Sequence, residues 1–388
     1  MQKKMKIYLS IPLALTLVTA GIFLVIVLKG LIGSYSTQEA TVDQATQRWK
    51  DANGNNDVWM EFHDPINITS ESNFTQANGV TGGAGTLESP WIIENWRILH
   101  SSGQESCILI ANTTSFLIIR HCLLMSTNRS GIILQNVTNV RLENNVCKGN
   151  LWCGIYLNYS NNTVLTYNWC WDNGNYGIFL NQSNNNTLGY NNCTGETYGI
   201  QLSKSNYNFL YKNTATNCKE SCIELIRSDF NDIASSRCSF SWTGVSLENS
   251  TENRIEENKI WNTWSGVLIL KSNLNRIQGN NIEWCEVGIN SDGESVNHVD
   301  HNNVSQAGIL LIFYYTEEYA TIGPLGYVLF FSIAGSWLLL FAKRKSLRQQ
   351  PSTNADWDNG ENIKEKLPGD LDRLQSEHRA IIAQLNEE

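Results

Sequence analysis

Hydrophobic positions in the middle of the chain recur every 20–24 residues, and inside each repeat they alternate with variable ones. A Gly-Ile-x-Leu phrase marks the copies, with its glycine at Gly131, Gly154, Gly177, Gly199, Gly244, Gly266, Gly288 and Gly308. Cys107 and Cys222 fill the same slot in two further copies. One position on stand Ile108, Ile132, Ile155, Ile178, Ile200, Ile223, Val245, Val267, Ile289 and Ile309, and two further on an aliphatic residue almost always follows. The position between them varies freely, as in Tyr156, Phe179, Gln201 and Glu224. Such in-out-in alternation describes a strand with one buried face. Two later columns run Leu117, Leu142, Leu165, Leu188, Leu210 and Cys122, Cys147, Cys170, Cys193, Ala215, with Ile93 and Ile98 fitting them one rung earlier.

Four inward columns per repeat, and no helical periodicity inside it, predict an all-β, right-handed parallel β-helix of about ten rungs. One rung cannot offset the cost of ordering its own backbone, so the rungs must stack into a long array. Two residues before the last column stand Asn145, Asn168, Asn191, Asn213, Asn258, Asn280 and Asn302. Asparagine tolerates left-handed backbone angles, and a stack of them can hydrogen-bond along the rod.

Apolar segments bracket the repeats. Residues 7–28 carry no charge and follow Lys3, Lys4 and Lys6, while residues 322–342 precede Lys343, Arg344, Lys345 and Arg348. Twenty-two helical residues would span about 33 Å, roughly one bilayer core. The flanking cations place both ends in the cytoplasm and the repeats outside. The expected order is a signal anchor over 1–35, a lead-in and capping segment over 36–90, the β-helix over 91–315, a transmembrane helix over 320–342, and a cytoplasmic tail over 343–388. In that tail Leu367, Leu371, Leu374, His378, Ile381 and Leu385 form one helical stripe, a candidate contact for a cytoplasmic protein. The formal net charge of −9 leaves no basic footprint for nucleic acid.

The lead-in Asn78-Gly79-Val80-Thr81-Gly82-Gly83-Ala84-Gly85-Thr86, then Ser89-Pro90-Trp91-Ile92-Ile93-Glu94, resembles that of archaeal NosD-like β-helix proteins. The rungs are similar to those described as carbohydrate-binding and sugar-hydrolase repeats. The resemblance covers residues 64–310. It implies the rod, and beside it either a glycan role or a part in metal delivery to a copper enzyme.

The candidate chemistry is sparse. The ten cysteines read as small core hydrophobes, because stacked columns hold Cβ atoms about 4.8 Å apart, wider than a disulfide prefers. Cys218 and Cys222, separated by a turn, remain a pair that could bridge. His298 and Asp300 can share an outer face, yet no metal site or cofactor is expected. Trp152, Tyr156, Trp169, Trp171, Asp172, Tyr176 and Phe179 gather on the third and fourth rungs, and aromatic platforms suit sugar rings. Asp172, Glu196 and Glu220 follow on nearby rungs without a defensible acid–base pair, so no catalytic residue is assigned. Asn-x-Ser/Thr glycosylation acceptors occur at Asn67, Asn73, Asn112, Asn128, Asn136, Asn158, Asn161, Asn181, Asn185, Asn192, Asn249 and Asn303. The expectation is a membrane-anchored cell-surface glycan binder without catalysis. The alternatives are a polysaccharide lyase, hydrolase or epimerase, and a metal-delivery accessory protein.

Overall fold

Strands of successive repeats pair in parallel, each repeat lying on the one before, in three sheets of 11, 10 and 11 strands. This arrangement comes from a computed structural model, which describes residues 49–50, 57–58, 60–99, 106–292, 295–307 and 309–313. The coil is right-handed. Nine consecutive turns each contribute one strand to every sheet, from Ile108–Thr113 in rung 1 to Val287–Ser291 in rung 9. Rung 4 shows the plan: Tyr176–Asn181 in the first sheet, Thr187–Gly189 in the second and Asn192–Thr194 in the third. Pairing starts before residue 91, since Glu61–Phe62 pairs with Trp96 and Arg97 and Ile66–Ile68 with Ile108–Ile110.

Register follows the hydrophobic columns. Ile155, Ile178 and Ile200 stack in the first sheet, and Leu165, Leu188 and Leu210 in the second. All are buried in one continuous core. At about 1.5–3 kcal/mol for each buried aliphatic side chain, every rung adds a comparable increment. The first rung departs from the expected columns. Leu142 pairs with Ile119, not Leu117, and Cys147 with Leu124, not Cys122. Rung 1 holds one extra residue, and Cys122 drops into the corner slot, where its amide donates to Asn145 at 3.1 Å.

Two ladders built mainly of asparagine run inside the corners. The first joins Asn145, Asn168, Asn191 and Asn213 through Nδ2–Oδ1 bonds of 3.0 Å. Ser236 replaces asparagine for one rung before Asn258, Asn280 and Asn302 resume. The second ladder, Asn186, Asn208, Asn231, Asn253, Asn275 and Asn297, repeats the geometry at 2.9–3.1 Å. The ladder asparagines do not take left-handed angles. In the first ladder that conformation falls on the preceding residue, as at Asn144, Tyr167, Tyr190 and Lys212. The side chain must point inward to reach its neighbour, and the bend before it aims it there.

Among the described residues no helix is long and apolar enough to cross a membrane. The segments 7–28 and 322–342, and the tail stripe, lie outside the described residues.

Candidate functional site

The outward positions of the first sheet carry the largest ring cluster. Tyr156 and Phe179 are register partners in rungs 3 and 4 and stack at 5.2 Å with an interplanar angle of 15°. Trp152, in the turn entering rung 3, meets Tyr156 edge-on at 4.6 Å. Tyr176 stacks on Phe179 at 4.5 Å and on Tyr198 of rung 5 at 5.5 Å. Each ring is half-buried, with its other surface turned outward. Pleating explains the placement: the flanking Ile155, Leu157, Ile178 and Leu180 point into the core, so Tyr156 and Phe179 cannot.

The strip then turns polar. The Gln201 amide, buried beyond Phe179 in the same column, donates to the Glu224 carboxylate on rung 6. Burial raises the Glu224 pKa, and the charges of Glu248 and Glu220 add to the rise against the lowering bond from Gln201. The Tyr198 phenol is pushed up to about 12 by burial and by these same carboxylates. Tyr198, Gln201 and Glu224 were missed as site residues by the sequence reading, although the outward column of Gln201 and Glu224 was visible there.

Trp169 and Trp171 belong to another face. They flank the inward Cys170 on the third sheet, their rings 5.8 Å apart and nearly parallel, with the Lys148 ammonium 4.0 Å above Trp171. Asp172 follows at the exposed corner with a left-handed backbone. The seven candidate residues therefore divide into a first-sheet strip (Trp152, Tyr156, Tyr176, Phe179) and a third-sheet pair with its neighbouring acid.

Glu196 is not a surface acid. It is fully buried at the third corner, where Asn150 donates to Asn173 at 2.9 Å and Asn173 to Glu196 at 3.2 Å. Among the described residues its Oε2 has no hydrogen-bond partner, and burial pushes its pKa up to about 8. Of the acceptor asparagines, Asn67, Asn112, Asn128, Asn136, Asn185, Asn249 and Asn303 are exposed. Asn73, Asn158, Asn161, Asn181 and Asn192 are half-buried.

All ten cysteines are free and buried. Burial raises the Cys107 and Cys122 thiols to about 12. His301 contacts Asp300 at 2.6 Å, and His298 reaches the same carboxylate at 3.7 Å.

Fold and surface together define a parallel β-helix repeat protein with one aromatic-to-acidic strip along its first sheet. The family described as periplasmic copper-binding protein (NosD) matches residues 55–223 and 190–307, and the chain belongs to that family. No curated protein sequence matches the chain. Among solved structures, the chain is similar to the Azotobacter vinelandii mannuronan C-5 epimerase AlgE6 A-module. That likeness has 12% identity and a TM-score of 0.45, over 57% of this chain and 73% of that one. An alginate lyase from Paenibacillus matches at 11% and 0.46, over 63% and 98%. The Streptococcus pneumoniae surface adhesin PfbA matches at 11% and 0.39, over 56% and 70%. Nothing about this protein's chemistry follows from likenesses of that size.

Copper, which the family description implies, does not fit the side chains described. Copper takes soft thiolate or thioether ligands, or imidazole. Here the thiols are sealed in the core, His298 and His301 flank one carboxylate, and His63 packs against Trp96 with its Nδ1 at the Asp64 carbonyl. Among the described residues no group of three His, Cys, Asp or Glu side chains is placed to hold a metal ion.

Proposed function

We propose that the protein is a glycan-binding β-helix held at the outer face of the cell membrane, with the first-sheet strip as its binding surface. The observation that carries this reading is the ring row itself. Trp152, Tyr156, Tyr176, Phe179 and Tyr198 form a row of five contacting rings on the outward side of one rigid sheet. Sugar rings lie against such surfaces through their C–H faces, while hydroxyls reach the polar groups at the border. Gln201 and Glu224 supply those groups. The apolar segments 7–28 and 322–342, with their flanking cations, support anchoring and an external rod.

The test is retention of the full-length chain on immobilised polysaccharides, read with an assay for released ends. Retention without new reducing or unsaturated ends is expected, and Tyr176→Ala or Phe179→Ala should weaken it about tenfold, about 1.4 kcal/mol. Release of such ends would replace the binder with an enzyme. Unchanged retention in both variants would move the site off this strip.

A further inference from the structure

The first-sheet strip does not stop at rung 5. In the turn that enters each first-sheet strand, the residue two before the glycine slot is Trp152 in rung 3, Glu220 in rung 6, Trp242 in rung 7 and Trp264 in rung 8. Backbone bonds tie these turns together rung by rung: Thr243 N–H donates to the Glu220 carbonyl at 2.8 Å and Ser265 N–H to the Trp242 carbonyl at 3.0 Å. The Trp242 and Trp264 rings stack at 5.0 Å and 19°, half-buried like the rings of rungs 3–5. Two aromatic platforms thus lie on one edge of one sheet. From Trp152 to Trp264 the track covers five rung steps, about 24 Å at about 4.8 Å each.

Between the platforms lie acids. Glu220 and Glu224 sit on rung 6, and Glu248 at the end of the rung 7 strand, where its register partner is Ile226. Among the described residues none of the three makes an ion pair. Between these acids the outward positions of the strands are Ser221, Thr243 and Ser246, small hydroxyl residues buried among their larger neighbours. Glu220 and Glu248 are exposed and Glu224 is half-buried, so an anionic ligand lying across this stretch would itself shield from water carboxylates that no ion pair compensates, and like charges then repel more than in bulk water. Hydroxyls, or an amino group, would meet acceptors.

We infer that the first-sheet edge from rung 3 to rung 8 is one track for an extended oligosaccharide of non-anionic sugars, with Trp242 and Trp264 gripping its far end and Glu220, Glu224 and Glu248 rejecting uronic acids. The inference rests on the glycan-binding reading and gives it a length and a charge class. The track suits a chain laid along the rod axis, since every column of the sheet runs that way.

The test uses the full-length chain and three probes: hexamers of β-1,4-linked glucose, glucosamine and mannuronate, followed by tryptophan fluorescence and calorimetry. The glucose and glucosamine hexamers should bind, and the mannuronate hexamer at least about tenfold more weakly. The Trp242→Ala/Trp264→Ala variant should lose about tenfold for the glucose hexamer while the affinity of a β-1,4-linked glucose disaccharide, added as a short control, stays put. The Glu220→Gln/Glu224→Gln variant should narrow the gap to mannuronate. Mannuronate binding as tight as glucose, or hexamer affinity indifferent to both tryptophans, overturns the inference and leaves glycan binding intact. Absence of binding to all three hexamers removes the glycan reading, and the inference goes with it. The comparison of hexamers on the unaltered chain needs no variant to fold.

Discussion

The ladder corners of the rod and the outward face of its first sheet are made by the same rungs under opposite rules. In the corners one residue type recurs with one geometry, Nδ2–Oδ1 bonds near 3.0 Å from Asn145 to Asn213 and again from Asn208 to Asn275. On the first-sheet face one column reads Ile133, Tyr156, Phe179, Gln201, Glu224, Ser246, Leu268, Asn290. A ladder asparagine bonds to the rungs above and below, so a residue whose side chain cannot hydrogen-bond leaves buried groups unpaired. An outward side chain answers to no such demand from the backbone. Its identity is free to serve something outside the rod, and a run of rings followed by acids is the least expected use of that freedom.

The strongest way to test the contrast is to break a ladder in its middle. Asn191 donates to the Leu165 carbonyl at 2.9 Å and to Asn213 at 3.0 Å, and accepts from the Asn168 amide and side chain at 3.0 Å each. Asn191→Ala strands several of these groups without water, at about 1–3 kcal/mol for each one left unpaired. A loss of about 2–5 kcal/mol is expected, read as a fall in Tm by circular dichroism. Asn191→Ser should cost less, because Ser236 already serves as a rung of this ladder, accepting from Asn213 at 3.1 Å. Equal losses for the two variants would mean that the ladder bonds are not what the corner needs.

The third corner offers a subtler break, where the rod's own polar chain ends on Glu196. Its pKa lies near 8 in the folded rod against an ordinary 4.5, chiefly through burial. Between those values the folded chain holds a proton that the unfolded chain has released, so stability is full at low pH and falls as pH rises through about 8. The loss is a few kcal/mol over the window, at about 1.4 kcal/mol for each pH unit between the two pKa values. Glu196→Gln keeps an oxygen to accept from Asn173 and cannot ionise, so its Tm should lose most of that slope between pH 5 and 8. A variant as pH-sensitive as the parent would place the titration elsewhere.

Much of the rod could be read from the chain, because inward columns and corner ladders repeat at a fixed spacing and repetition survives in one dimension. The second asparagine ladder was equally legible, two residues before each inward residue of the second sheet, and was overlooked beside the first. The offset in rung 1 was harder: Leu117 and Cys122 are themselves aliphatic or small, so composition could not reveal one extra residue before Ile119. The candidate site was only half legible. Spacing showed that Tyr156 and Phe179 would meet, but assigning Trp169 to a different face needs the corner at Asn173 that separates third sheet from first. The burial of Glu196 depends on that same corner.

The smallest expected stability effect belongs to the face that the contrast assigns to function. Phe179 touches Tyr156, Tyr176 and, edge-on at 6.4 Å, Trp152, yet it lies outside the core. Removing its ring costs only the ring contacts and some partial burial, about 1 kcal/mol. Its neighbour Leu180 is fully buried, and shortening that side chain leaves a cavity. Phe179→Ala should therefore shift Tm by no more than a few degrees while weakening polysaccharide retention about tenfold. If instead it destabilises the rod as much as Asn191→Ala does, the ring row is structural cladding, and the difference between corner and face disappears at the place where it was expected to matter most.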